Sequence, residues 1–366
     1  MQIDIKPCVS VIIPSYNHQN YIRAAIQSVL DQSFSNYELL IADDASSDDS
    51  WSVIKSFKDE RITSYRFDIN MGAAEATNFL ITKATGKYIA LLNSDDYWHK
   101  DKLKLQYDFM EQNPEYAACF TNVCLVDENG LTLKRNKNQW ENMFKNSNLD
   151  RGEWLERFFF NLNSLCHPSI MIKREVYTLT GLYNPCYVQL PDFNMWIKLL
   201  KLASIYVIEI DLTFFRIISG AKNTSSVTFD NIQRHDLELE LILENFFDDM
   251  PDGVFLEGFS KYLKKKGDLS KAELNCEKTF IYFDIEGKRK SIYSSVGIRR
   301  LYRLLSDENT AEALMKSYNF THKDFRELKN ENELLLERFV ANAKSILRRN
   351  SFLSNLVYKI IRRKDV

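Results

Sequence analysis

The chain has 366 residues, enough for one large domain with a smaller one, or for two of ordinary size. Hydrophobic residues make up 45% and aromatics 13%, which supplies a real core and excludes global disorder. The formal net charge of −2 excludes a generally basic, nucleic-acid-binding surface, so charged partners have to be sought in local clusters. The six cysteines, Cys8, Cys119, Cys124, Cys166, Cys186 and Cys276, contain no Cys-x-x-Cys pair. They fit a reducing compartment rather than a disulfide framework. Met1 to Cys8 lacks the apolar run of a signal peptide, and no run is long enough to cross a bilayer. The chain is therefore expected in the cytoplasm, or peripherally on the inner face of the plasma membrane.

The first half alternates strands and helices. Val9 to Ile13 is a short apolar run ended by Pro14, as in a buried parallel strand. Ile22, Ala25, Ile26, Val29 and Leu30 recur at helical spacing. Tyr37 to Ala42 reads as a strand, followed by Asp43, Asp44, Ser46, Ser47 and Asp48, residues suited to a loop and a helix start. A strand over Ile62 to Phe67, a helix over Gly72 to Ala84 and a strand over Lys87 to Leu92 come next. Then follow Asn93-Ser94-Asp95-Asp96, a helix over Lys100 to Gln112, and a strand over Ala117 to Val126. Such alternation predicts a mainly parallel sheet covered by helices, with ligands bound beyond the carboxyl ends of its strands. Ser15-Tyr16-Asn17, Asp43-Asp44 and Asp95-Asp96 all fall at those ends, which points to one shared site; Asp48 reads better as a helix cap. From Asp236 onward the composition turns to Leu, Glu, Lys and Phe at helical spacing. A domain boundary is expected between Ser225 and Asn231, separating residues 1–228 from a mostly helical 229–366.

Two adjacent acids at the end of an apolar strand are costly to bury unpaired, and a divalent cation would neutralise them. Their setting sharpens this: Gly86-Lys87-Tyr88-Ile89-Ala90-Leu91-Leu92-Asn93-Ser94-Asp95-Asp96-Tyr97-Trp98. Together with Val9 to Asn17, Ile41 to Asp48, Asn70-Met71-Gly72 and Asn78, in that order and spacing, it resembles the family 2 glycosyltransferases of the GT-A fold. The resemblance covers roughly residues 7 to 226. It implies a nucleotide-sugar donor, UDP-linked as is commonest for this motif set, and Mg²⁺ or Mn²⁺. It places the base on Tyr16 and the base edge on Asp44, with Pro14, Ser15 and Asn17 in the same pocket. It puts Asp95 near the ribose and Asp96 on the metal. Asn93 stands where relatives often have Asp, and Thr77 where many have Arg.

Downstream, His167-Pro168-Ser169 to Arg174 and Gly181-Leu182-Tyr183 are similar to the family's acceptor side. In Leu190-Pro191-Asp192-Phe193, Asp192 opens a helix. It reads either as an acid favoured by the helix dipole or, by resemblance, as the general base of an inverting transfer; Pro191 replaces the usual Glu. His167 reads as a ligand, an acid or a structural ring. Arg216, Ser219, Asn223 and Thr224 read equally as a loop over the diphosphate or a solvated loop. The implied acceptor is a saccharide or lipid-linked saccharide of bacterial surface polysaccharide. Between Lys344 and Val366, seven basic residues alternate with an apolar stripe against one acid, Asp365. That tail suits an anionic membrane surface, packing on neighbouring helices, or an oligomer contact. A nucleotidyltransferase is the rival enzyme, though the loop after the first strand has no glycine; a degenerate binding module is the other rival.

Overall fold

The computed structural model describes residues 6–133, 144–218 and 228–328. In chain order these residues form β1 (Val9–Ser15), α1 (Ile22–Leu30), β2 (Tyr37–Asp43), α2 (Ser50–Ser56), β3 (Ile62–Arg66), α3 (Ala73–Lys83), β4 (Tyr88–Leu91), β5 (Tyr97–Trp98) and α4 (Lys102–Gln112). There follow β6 (Tyr116–Val126), α5 (Arg151–Asn161), β7 (Met171–Lys173), α6 (Val176–Thr180), α7 (Pro191–Leu202), β8 (Ser204–Arg216), α8 (Phe229–Glu244) and α9 (Asp252–Phe259). The helices α10 (Lys271–Phe280), α11 (Lys290–Ser306), α12 (Glu308–Tyr318) and α13 (His322–Leu328) close the described part.

Among the described residues the eight strands make one mixed sheet in the order β3-β2-β1-β4-β7-β6-β8-β5. Strands β3, β2, β1 and β4 run parallel, as strand–helix alternation demands. The register pairs Ser15 with Asp43, so β1 and β2 end level; β4 ends lower, with Leu91 opposite Ile12, and the chain beyond it carries Asp95-Asp96 on in the same direction. Strand β7 breaks the pattern by pairing antiparallel with both β4 and β6. Strand β8 pairs parallel with β6, and the two-residue β5 pairs antiparallel with β8. The core beneath this face is built from Val9, Val11, Ile13, Ile26, Val29, Leu39, Ile41, Ala90 and Leu92, all buried. Every β4 residue is buried because it lies between β1 and β7, which is why it reads as a plain apolar run.

The chain divides into two compact units, with the division in sequence between Lys261 and Tyr262. The change from strands to helices does fall at Thr228, where α8 begins with the Thr228 hydroxyl accepting from the Asn231 N–H. Yet α8 and α9 belong to the first unit. Helix α9 crosses α5 in direct backbone contact: a Cβ on Gly258 would lie 2.0 Å from the Gly152 carbonyl oxygen. The Gly152 N–H donates to Glu257 at 2.9 Å, and Phe159 packs against Phe246, Phe247 and Phe259. The second unit is helical in its described part. It is centred on Cys276, Leu301 and Leu314, and buried Glu277 accepts from the Lys264 and Lys265 N–H groups and the Tyr318 hydroxyl. No helix among the described residues is long and apolar enough to cross a membrane.

Candidate active site

The parallel run of β1, β2 and β4 brings the three polar clusters out beyond the carboxyl ends of these strands, on one rim. Chain continuity past β1 is fixed by the Asp44 N–H donating to the Ser15 carbonyl at 2.8 Å. Asn17 adopts a positive φ of 53°, a conformation that Asn tolerates, and its side-chain oxygen accepts from the Ser47 N–H at 2.8 Å. This locks the first loop to the second. Tyr16 stands 45% exposed on that rim, with Pro14 partly buried beside it. The Ser15 hydroxyl and one oxygen of Asp43 are buried without a hydrogen-bond partner, although they lie at paired positions. Orphaned buried polar atoms at a strand end are where a ligand is expected to bind.

Asp44 is buried and already engaged. Its carboxylate accepts from the Met71 N–H at 2.7 Å, the Gly72 N–H at 2.8 Å and the Asn70 amide at 2.9 Å. It thereby holds the turn before α3, where Gly72 has a φ of 93°. A carboxylate offers about four acceptor positions, so one remains open. Asp48 behaves as a cap: it accepts from the Ser50 N–H and hydroxyl at the start of α2 and from the Gln19 N–H.

Asp96 is only 1% exposed. One carboxylate oxygen accepts from the Arg216 N–H at 2.7 Å and the other from the Asn93 amide at 3.1 Å. Burial, and then the charge of Asp95, push its carboxyl well above the usual carboxylate range; those two hydrogen bonds oppose the shift without cancelling it. Ionised, the side chain would thus be short of compensation. Asn93, where relatives often carry Asp, serves here as a donor to Asp96. Arg216 is neither in a solvated loop nor extended over the rim. It ends β8 at 4% exposure, and its guanidinium donates to the carbonyls of Asp95, Asp127 and Glu128 while lying 4.9 Å from the Tyr21 ring centroid. Its role is to brace the acidic turn. Ser219, Asn223 and Thr224 lie outside the described residues, as does the basic tail.

Asp192 sits in the first turn of α7, half-buried. It accepts from the Asn163 amide and the Phe193 N–H, each at 2.8 Å. Burial raises its carboxyl to about 6 against those hydrogen bonds, and the charge of Glu238 adds to the rise. The Cys166 thiol is pushed up by burial and by the charges of Asp96, Asp192 and Asp95, so all three acids act on one buried point. Around it, the Trp98 indole donates to the Pro168 carbonyl at 2.8 Å, and Asn78 pairs doubly with the Tyr183 backbone at 2.8 and 2.9 Å. The His167 ring lies 3.0 Å from the Tyr183 hydroxyl and packs on Trp196, and burial lowers its pKa to about 4. It is neutral at neutral pH, a structural ring.

Two residues of this site, Asn163 and Glu238, were not singled out from sequence. Asn163 carried no motif. Ser15 and Asp43 were read as a cluster, but their unpartnered atoms emerge only from packing. Glu238 was assigned to the other domain, yet its buried carboxylate accepts three consecutive N–H groups just before α7.

The profile of "Glycosyl transferase family 2" matches residues 10–177. Residues 10–177 thus form a family 2 glycosyltransferase domain. Over 132 residues it is 42% identical to TuaG of Bacillus subtilis (strain 168), a glycosyltransferase named for teichuronic acid biosynthesis. That match covers 36% of this chain and 52% of TuaG, so the chain spans about half the length of that relative. It is 29% identical over 229 residues to WfgD of Escherichia coli, named as a UDP-Glc:alpha-D-GlcNAc-diphosphoundecaprenol beta-1,3-glucosyltransferase, across 62% of this chain and 83% of WfgD. Among solved structures, S. aureus TarS 1–349 in complex with UDP superposes with a TM-score of 0.57 at 15% identity, covering 85% of this chain and 91% of that one. The shared architecture is that of GT-A glycosyltransferases: a mixed sheet flanked by helices and followed by a helical region.

Proposed function

We propose that the chain transfers a sugar from a UDP-linked donor to a hydroxyl of a saccharide or lipid-linked saccharide, with inversion, in the building of bacterial surface polysaccharide. The observation that carries this reading is the rim itself. Tyr16, Asp44 and the Asp95-Asp96 pair follow the carboxyl ends of the parallel strands β1, β2 and β4, and a carboxyl raised to about 6 acts on the same buried thiol as that pair. Tyr16 stacks on the nucleobase. Asp44 uses its open acceptor position on the base edge while it holds the 70–72 turn, and Ser15 supplies the unpaired hydroxyl beneath. Pro14 and Asn17 shape the pocket wall.

Asp96, with Asp95 beside it, suits Mg²⁺ or Mn²⁺. These ions take oxygen ligands, commonly one or two carboxylates completed by phosphate and water, and a bound cation would offset the cost of ionising buried Asp96. When bound, such an ion stabilises the leaving diphosphate as a Lewis acid. Asp192 takes the proton from the attacking acceptor hydroxyl, and Asn163 holds the carboxylate oriented while it does so. A single displacement inverts the anomeric centre.

The test is a donor screen with purified chain, scoring release of UDP rather than pyrophosphate. Turnover of a UDP-sugar with an inverted product supports the reading; pyrophosphate release, or nucleotide binding without turnover of any donor, overturns it. The basic tail is proposed to hold the enzyme at an anionic membrane beside a lipid-linked acceptor. Salt-reversible co-sedimentation with anionic vesicles, lost on truncation at Ala343, is the expected result.

A further inference from the structure

We propose that Glu238, on α8, is a positioning residue for the transfer: its carboxylate gathers the backbone of Val188–Leu190 and so holds the first turn of α7, with Asp192, in place. This rests on Asp192 being the base. A helix start leaves N–H groups without partners inside the helix. Leu190, at the cap position of α7, has no side-chain acceptor, and Pro191 has no N–H to give. The N–H groups of Val188, Gln189 and Leu190 each donate to Glu238 at 2.8 Å, from as far as 50 residues away in sequence. Val188 is 44% exposed, so apolar packing does not pin the loop at that point; the carboxylate, 3% exposed, holds it from inside.

A buried carboxylate is costly unless its hydrogen bonds are met. Three donors on two oxygens meet that need, and a neutral amide, which has one acceptor oxygen, could not accept all three in the same way. The charge has a second consequence. It adds to the rise of the Asp192 carboxyl, which brings the base towards neutral pH where proton transfer is most effective. The other groups on Asp192 are neutral: the Asn163 amide, the Cys166 thiol and the Tyr183 hydroxyl, the last two both raised by burial.

The experiment compares full-length wild type with Glu238→Gln, Glu238→Asp and Asp192→Asn. The Asp192 carboxyl is titrated by ¹³C NMR, its signal assigned by loss in Asp192→Asn. Amide exchange is followed over residues 188–194, and kcat and KM are measured with UDP-glucose or UDP-N-acetylglucosamine, whichever is turned over. In Glu238→Gln we expect the Asp192 midpoint to fall by about half a pH unit or more, and the 188–190 amides to exchange about tenfold faster. The kcat should fall about tenfold with donor KM within about twofold. Glu238→Asp keeps the charge but withdraws the carboxylate by one methylene; it should keep the raised midpoint and still lose kcat. An unchanged midpoint and unchanged kcat, with only a lower melting temperature, would make Glu238 a structural anchor and overturn the proposal. If Asp192→Asn transfers at the wild-type rate, the base assignment fails first. If Asp192→Asn is inactive while Glu238→Gln behaves as wild type, only the role of Glu238 fails. The titration and exchange decide the matter even if neither donor is used.

Discussion

Replacing Asp192 by Asn, and lowering the pH on the wild type, probe the same proton. With its carboxyl at about 6, Asp192 is about ten-elevenths ionised at pH 7 and about one-eleventh at pH 5, so kcat should fall about tenfold between them. Asp192→Asn removes the base at every pH, and a loss of about 10²- to 10⁴-fold in kcat is expected, with UDP affinity nearly unchanged. The stability consequence has the opposite sign. A carboxyl raised on folding from 3.8 to about 6 opposes the native state above that range, and the opposition disappears as pH falls below about 4. The gap bounds the effect at about 3 kcal/mol, and water at a half-buried group reduces it to about 1 kcal/mol. Asn can still accept one of the two hydrogen bonds, so the variant should melt within a few degrees of wild type at pH 7. The assay is steady-state UDP release from pH 5 to 8 at saturating donor and cation, beside thermal melts. An acidic limb that persists in the residual activity of Asp192→Asn would refute the assignment of the limb to Asp192. So would a collapse of melting temperature that accounts for the lost activity.

Asp96→Ala, or excess chelator on the wild type, should abolish transfer if buried Asp96 holds the cation as proposed; full activity in chelator would remove the metal from the mechanism. Asn93→Asp replaces a donor to Asp96 by a third carboxylate and should tighten Mn²⁺ binding in calorimetry; weaker binding would mean that the Asn93 hydrogen bond matters more than charge. Tyr16→Ala should weaken UDP binding by roughly 1 kcal/mol, and an unchanged affinity would take the ring out of the pocket. Gly258→Ala forces a methyl against the Gly152 carbonyl and should cost about 2 kcal/mol or more in chemical denaturation; a silent substitution would show that the α5–α9 crossing can open without penalty.

Much of the catalytic face was legible in local order. Apolar runs ending at Pro14, Ala42 and Leu92 announce buried strands, and helices between them force those strands parallel. Parallel strands end on one side, so Tyr16, Asp44 and Asp96 had to share a rim whatever the details. The periodicity of Phe193, Trp196 and Ile197 likewise placed Asp192 at a helix start. The family resemblance then supplied roles that composition and spacing cannot, since a strand-end carboxylate looks alike whether it binds a metal, a base or a helix.

What the tertiary structure decided are the partners of those residues. Strand β7 is too short, and its apolar run too ordinary, to announce that it pairs antiparallel between β4 and β6. Arg216 reads as a loop cation until β8 folds beside β5 and turns it inward onto three carbonyls. Thr228 marks a real change of composition, but Gly152 and Gly258 carry the first unit across it, because only two glycines let α5 and α9 touch backbone to backbone. Sequence by itself determined which residues stand at the strand ends, since that follows from a period and a direction along one chain. Which carboxylate is braced, which is left short of compensation and which holds the α7 turn depended on contacts up to about 120 residues apart, and only folding brings those groups within hydrogen-bond distance.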